Sequence, residues 1–173
     1  MSIIKKVNGT ILKNFYTEVT TSASIGTGET KACVVNIPAN TFLSGDIIHI
    51  SSGAYNSSAT QPWNMYYYWN TANTLTGAVQ ISGTENIAVG NQFCHFIRTF
   101  HIIDSTGGGN GTLGLNINAR INRVDFQNVI GPLGINVRGT YAINWGLDSY
   151  IMVALSADAT QPIDNRWLKV STY

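Results

Sequence analysis

The stretch QPWNMYYYWNTAN, residues 61–73, carries two tryptophans and three tyrosines within seven positions, with asparagines at both flanks. In an extended strand successive side chains alternate between faces. Trp63, Met65, Tyr67 and Trp69 then share one face, and Asn64, Tyr66, Tyr68 and Asn70 share the other. The first set has the composition of a core face. The second sets two phenols between two amides, which suits a neutral glycan: rings stack on CH groups and amides bond to hydroxyls. The same groups serve in a subunit contact, where tyrosine is enriched, or on an outer sheet face with no partner. Asn64, Tyr66, Tyr68 and Asn70 are therefore candidate glycan or subunit contacts, with all three readings open.

Other chemistry is sparse. No GxSxG elbow, P-loop, strand-following GxGxxG or HExxH occurs. The glycines at 107–111 have no lysine after them and no helix to open, which argues against phosphate binding. His95 and His101 stand six residues apart in FCHFIRTFHII, residues 93–103. In a strand that spacing puts them on one face about 20 Å apart, too far to share a metal within one chain. The nine carboxylates fall mostly at turn positions, where Asp bonds its own backbone. A glycosidase needs two of them facing each other across a groove. The expectation is a non-enzymatic protein with no catalytic residue, no metal and no cofactor.

The segment holding those histidines is apolar on both faces. Cys94, Phe96, Arg98, Phe100 and Ile102 alternate with His95, Ile97, Thr99 and His101. Such a strand belongs either in the middle of layered sheets, with Arg98 reaching the rim, or where one face meets another subunit. His95, Ile97, Thr99 and His101 form the candidate oligomer interface.

Composition narrows the partners. Charged residues make up 11% of the chain and the net charge is +1, against roughly 25% charged residues in ordinary soluble domains. No electrostatic field attracts nucleic acid or an anionic membrane. A surface of Asn, Thr, Ser and Gln suits an assembled particle or a neutral sugar. No 18-residue apolar run is present, so membrane insertion is not expected. The first residues lack the apolar core of a secretory signal. Cys33 and Cys94 each lie in an apolar run, as free buried thiols would.

The elements that must position these groups are strands. Apolar residues recur with period two almost throughout, for example Leu113, Leu115, Ile117, Ala119 and Ile121, and later Ile151, Val153 and Leu155. Gly139 marks a bulge or bend after Ile135 and Val137. Asn8-Gly9 predicts a tight hairpin between Ile3–Val7 and Thr10–Asn14. Turn signals at Leu43-Ser44-Gly45-Asp46 and at Pro162–Asn165 separate further runs. The expected fold is all-β, an antiparallel sandwich of about ten strands, jelly-roll-like. Residues 1–14 form a hairpin or attachment arm and residues 15–173 a single sandwich domain.

IPANTFLSGDIIHIS (37–51), FIRTFHI (96–102) and the ending SYIMVALSADATQPIDNRWLKVSTY (149–173) together resemble the jelly-roll structural proteins of tailed bacteriophages. These occur as head fibres, capsid decorations and tail-fibre tips. The resemblance covers most of the chain and transfers no catalytic residue. It implies a homotrimeric virion component, assembled in the reducing host cytoplasm, attached to other capsid or tail proteins and in some cases contacting host-surface glycans. The sequence departs from fibre proteins in having no shaft or heptad repeat, which suits a knob or decoration.

Overall fold

Period-two alternation becomes sheet in a computed structural model that describes residues 2–7, 10–58, 60–81, 85–90, 93–103, 112–115 and 139–172. Among these residues no helix forms. The strands, in chain order, are β1 (Ser2–Val7), β2 (Thr10–Val19), β3 (Ala23–Ile25), β4 (Thr30–Ile37), β5 (Ile47–Tyr55), β6 (Trp63–Asn70) and β7 (Val79–Gln80). They continue with β8 (Glu85–Ile87), β9 (Phe93–Ile102), β10 (Thr112–Leu115), β11 (Gly139–Tyr141), β12 (Ser149–Ala157), β13 (Gln161–Ile163) and β14 (Asn165–Thr172). The count exceeds the ten or so expected because six of these are two to four residues long.

Among the described residues all pairings are antiparallel. One sheet has the order β1-β2-β14-β5-β9-β10-β11; the other has β4-β12-β6-β7, with β8 also on β6; β3 and β13 form a small separate ribbon. Four of the pairings are nested: β2 with β14, β4 with β12, β5 with β9 and β6 with β8. First pairs with last and the innermost two pair together, with successive pairs alternating between the sheets. That is the eight-stranded jelly roll, two Greek keys in two facing sheets.

The core lies between the sheets. Phe15, Ile48, Ile50, Phe96, Phe100, Leu168 and Val170 meet Val35, Ile37, Trp63, Met65, Tyr67, Ile151, Val153 and Leu155 in one buried cluster. Strand parity is as the sequence implies for β6, β9 and β12. One inward side chain breaks the pattern. Arg98 does not reach the rim; it is 2% exposed, with its guanidinium 5.8 Å from the Tyr67 ring and 5.5 Å from the Phe96 ring. Parity outweighs charge there, because rings on both sides and the Ile97 carbonyl, 3.0 Å from Nη1, receive the cation. Arg166, also buried, clamps the carbonyls of Ala32, Thr21 and Ile163.

The turn ahead of β5 is built as its residues suggest. Asn40 and Gly45 take positive φ (58° and 93°), Asp46 accepts from the Leu43 amide at 3.0 Å, and Gly45 donates to the Ile102 carbonyl at 2.7 Å. The β1–β2 hairpin is present with Val7 opposite Thr10, although β2 runs on to Val19 rather than ending at Asn14. Positions 116–121 and 135–138, expected in two strands, lie outside the described residues.

Candidate functional site

On β6 the inward set is sealed: Trp63, Met65 and Tyr67 are fully buried and Trp69 nearly so. Asn64, Tyr66, Tyr68 and Asn70 do face outward, but most of that face is covered. Tyr68 is only 8% exposed. It packs with Met152 and Ala154 of β12 beneath Leu75 and Ala78, and its hydroxyl donates to Glu29 Oε2. Burial first, and then the Glu29 hydrogen bond, raise its phenol well above the ordinary range. Asn70 is spent on the segment that does the covering, donating to the carbonyls of Thr74 (2.8 Å) and Thr76 (3.1 Å). Lys31 Nζ fastens the same segment through Asn73 O at 2.8 Å and Oδ1 at 2.7 Å. Asn64 accepts from Asn86 Nδ2 at 2.9 Å, and Tyr66 and Ser156 share a hydrogen bond of 3.0 Å. The four residues share a face, as their parity requires. Asn64, Tyr66 and Asn70 are half-buried and Tyr68 is buried, which leaves Tyr66 the more accessible of the two tyrosines.

His95, Ile97, Thr99 and His101 lie in line along the outer face of β9. Ile97 and His101 are exposed. Thr99 Oγ1 is hydrogen-bonded to His49 Nδ1 at 3.0 Å, and His95 Nε2 to Ser51 Oγ at 3.0 Å. Burial holds both His49 and His95 below the ordinary imidazole value. Among the described residues no group of three His, Cys, Asp or Glu side chains is placed to hold a metal. Cys33 and Cys94 are free and buried, each thiol pushed up to about 12 chiefly by burial.

Beside this histidine line the sheet builds a site that no single stretch of sequence announces. Pairing registers place Glu18, Trp167, Gly53 and His95 in one row across β2, β14, β5 and β9. Asn165, Tyr55 and Phe93 form the next row along. Tyr16, Glu18, Ala54, Tyr55, Phe93, Asn165 and Trp167 line an open groove of about 410 Å³. At three interstrand spacings from β2 to β9 it runs roughly 14 Å across the sheet.

Gly53 makes the floor possible. A Cβ there would stand 2.6 Å from Trp167 Nε1 and 2.9 Å from the Cys94 carbonyl, so the indole lies across the strand only because no side chain intervenes. The Trp167 ring continues toward His95, with centroids 5.0 Å apart. Tyr16 and Tyr55 stay 39% and 38% exposed, unusually open for tyrosines on a folded sheet.

Glu18 is the charged member. Its Oε2 accepts from the Tyr16 hydroxyl at 2.9 Å and its Oε1 from Asn165 Nδ2 at 3.4 Å. Two neutral donors thus orient the carboxylate, one per oxygen, and each oxygen keeps acceptor capacity. Desolvation and the Glu18 hydrogen bond raise the Tyr16 phenol. The groove therefore offers aromatic faces, a fixed acceptor and an amide within one surface.

No protein-family model matches the chain, and no curated protein matches it in sequence. Among solved structures it is similar to a carbohydrate-binding module specific for non-crystalline cellulose, CBM28, at 9% identity and a TM-score of 0.32, over 96% of this chain and 76% of that one. It is also similar to the CBM2 module of the evolved Dit protein of Lactobacillus casei BL23 phage J-1, at 9% identity and a TM-score of 0.35, over 98% and 78%. At this level of similarity, what those proteins bind is theirs alone.

Proposed function

We propose that this chain is a non-enzymatic jelly-roll recognition module that binds carbohydrate in the groove of Tyr16, Glu18, Tyr55, Phe93, Asn165 and Trp167. The observation that carries the reading is the joining of four aromatic side chains to one oriented carboxylate and one amide, in three successive rows on one sheet face. Pyranose CH faces stack on the rings, and hydroxyls donate to Glu18. The groove is open rather than enclosed, so affinity is modest, with Kd on the order of 0.1–1 mM for one short oligosaccharide. Glu18 is the one carboxylate among the described lining residues, whereas hydrolysis would call for two.

The sequence resemblance supports a setting on the surface of a tailed-phage particle. There the module would work as a homotrimer, attached to capsid or tail proteins and facing host-surface glycans. The outer face of β9, with exposed Ile97 and His101 and the neighbouring exposed Ile47, is the proposed subunit contact. Repeating the site three times would raise avidity well above the single-site value.

Glycan-array binding, followed by titration of tryptophan fluorescence, tests the ligand class. The module should bind oligosaccharides and lose them on Trp167→Ala or Tyr55→Ala; retained binding in both variants removes the groove from the account. Light scattering that shows a monomer at micromolar concentration would remove the trimer.

A further inference from the structure

On the reading that the groove holds a sugar, we infer that its preferred ligand is an amino sugar carrying a protonated amine. Glu18 is the reason. Among the described residues its carboxylate is met by the neutral donors Tyr16 and Asn165, and the ion pair present is Lys13 with Asp46. A negative charge thus stands at one end of the groove, and among the described residues no cation forms an ion pair with it, although Lys169 shares the outer face opposite Tyr16. The groove is otherwise lined by the aromatic side chains of Trp167, Tyr55, Tyr16 and Phe93, and the face of an aromatic ring is itself negative. A neutral hexose uses the rings for stacking and Glu18 as an acceptor. A hexosamine does the same and adds two attractions that a neutral sugar lacks, an ion pair with Glu18 and a cation–π contact with an adjacent ring.

The length of the groove separates this ligand from a small ammonium compound. Glu18 on β2 and Phe93 on β9 lie three strand spacings apart, about 14 Å. A single ammonium head would fill the Glu18 end and leave the β5 and β9 rings uncovered. An oligomer places its amine at Glu18 and stacks further residues along Trp167, Tyr55 and Phe93. N-acetylation removes the charge and, with it, both added attractions.

Because Glu18 is exposed, solvent and salt screen the pair, and the advantage is about tenfold rather than thousandfold. The chain's net charge of +1 supplies no long-range attraction for a cationic ligand, so discrimination comes from the groove itself.

Three probes of equal length test the inference: β-1,4-glucosamine oligomers, their N-acetylated counterparts, and β-1,4-glucose oligomers. Each is titrated calorimetrically near pH 6, at low and at high salt. The glucosamine oligomer should bind about tenfold tighter than the other two, and lose most of that margin at high salt and in Glu18→Gln, the small remainder being the cation–π contact. Equal affinities for the amine and N-acetyl forms would overturn the inference, as would a preference undiminished in Glu18→Gln. If the neutral oligomers bind without any amine preference, the inference falls and the carbohydrate reading stands. If none of the three binds or changes Trp167 emission, both fall together.

Discussion

Replacing Gly53 with alanine puts a methyl group where the Trp167 indole lies. The new carbon would stand 2.6 Å from Nε1, 2.9 Å from Cε2 and 2.9 Å from the Cys94 carbonyl oxygen. The indole is the more mobile obstacle and must lift, while the paired β9 backbone also has to give by a few tenths of an ångström at the Cys94 carbonyl. Overpacking of this kind costs about 1–3 kcal/mol, which in a chain of this size lowers the unfolding midpoint by roughly 2–12 °C. The displaced indole also leaves the groove. If a ligand ring covers about a third of an aromatic side chain's 150–250 Å², then at ~25 cal/mol per Å² the lost contact is about 1–2 kcal/mol, or fivefold to thirtyfold in Kd. The assay is a double-mutant cycle read by thermal unfolding and by oligosaccharide titration. In the Trp167→Ala background the same alanine should cost less, keeping only the Cys94 carbonyl contact, for a coupling of about 1 kcal/mol. Additive effects, or a Gly53→Ala protein with unchanged stability and affinity, would refute the claim that Gly53 exists to seat this indole.

Tyr16→Ala and Tyr55→Ala should each weaken oligosaccharide binding several-fold, whereas Tyr66→Ala should leave it within twofold; isothermal titration separates them. Cys33 and Cys94 should resist a thiol reagent at pH 8 in the native protein and both react in denaturant, because burial pushes each thiol up to about 12. Above pH 9, the ordinary thiol value here, the unfolded chain releases protons that the native chain retains. Stability contributed by these thiols is therefore full below pH 9 and falls as pH rises toward 12, which urea midpoints measured across that range will show. His49 and His95 act oppositely. Their imidazoles are held below 6.5 by burial, so below pH 6.5 the unfolded chain binds more protons and stability declines on acidification. His49→Gln should flatten that decline.

Strand parity was the most legible property of the sequence. It placed Trp63, Met65, Tyr67 and Trp69 in the core and Ile151, Val153 and Leu155 with them, because a sheet face buried on one side leaves no freedom of register. Parity also put Arg98 inward, and there the charge suggested an escape to the rim that the enclosing Tyr67 and Phe96 rings made unnecessary. Facing outward, however, is not the same as being exposed. Tyr68 and Asn70 point away from the core, yet residues 71–78 fold back over them, and nothing in NTANTLTGA distinguishes a segment that folds back from one that projects. The groove was illegible for a different reason. Tyr16, Tyr55, Phe93 and Trp167 come from four strands spread over some 150 positions, and none stands beside another in the sequence. Only the pairing of β2, β14, β5 and β9 makes them neighbours, and strand order is set by long-range packing rather than by local pattern. A weak local signal does exist: Gly53 lies two positions before Tyr55 in an otherwise regular strand, which points to a close approach from above.

The chain has four tryptophans, of which Trp63, Trp69 and Trp145 are buried in the core and Trp167 lines the groove. Their indole N–H resonances in a ¹H–¹⁵N correlation spectrum, recorded during titration with glucose and glucosamine oligomers, test the central claim most directly. One indole resonance, assigned by Trp167→Phe, should shift with saturation, along with backbone amides around Glu18, Tyr55, Phe93 and Asn165. Shifts confined to the Asn64 and Tyr66 face, or a spectrum unmoved at millimolar ligand, would contradict it.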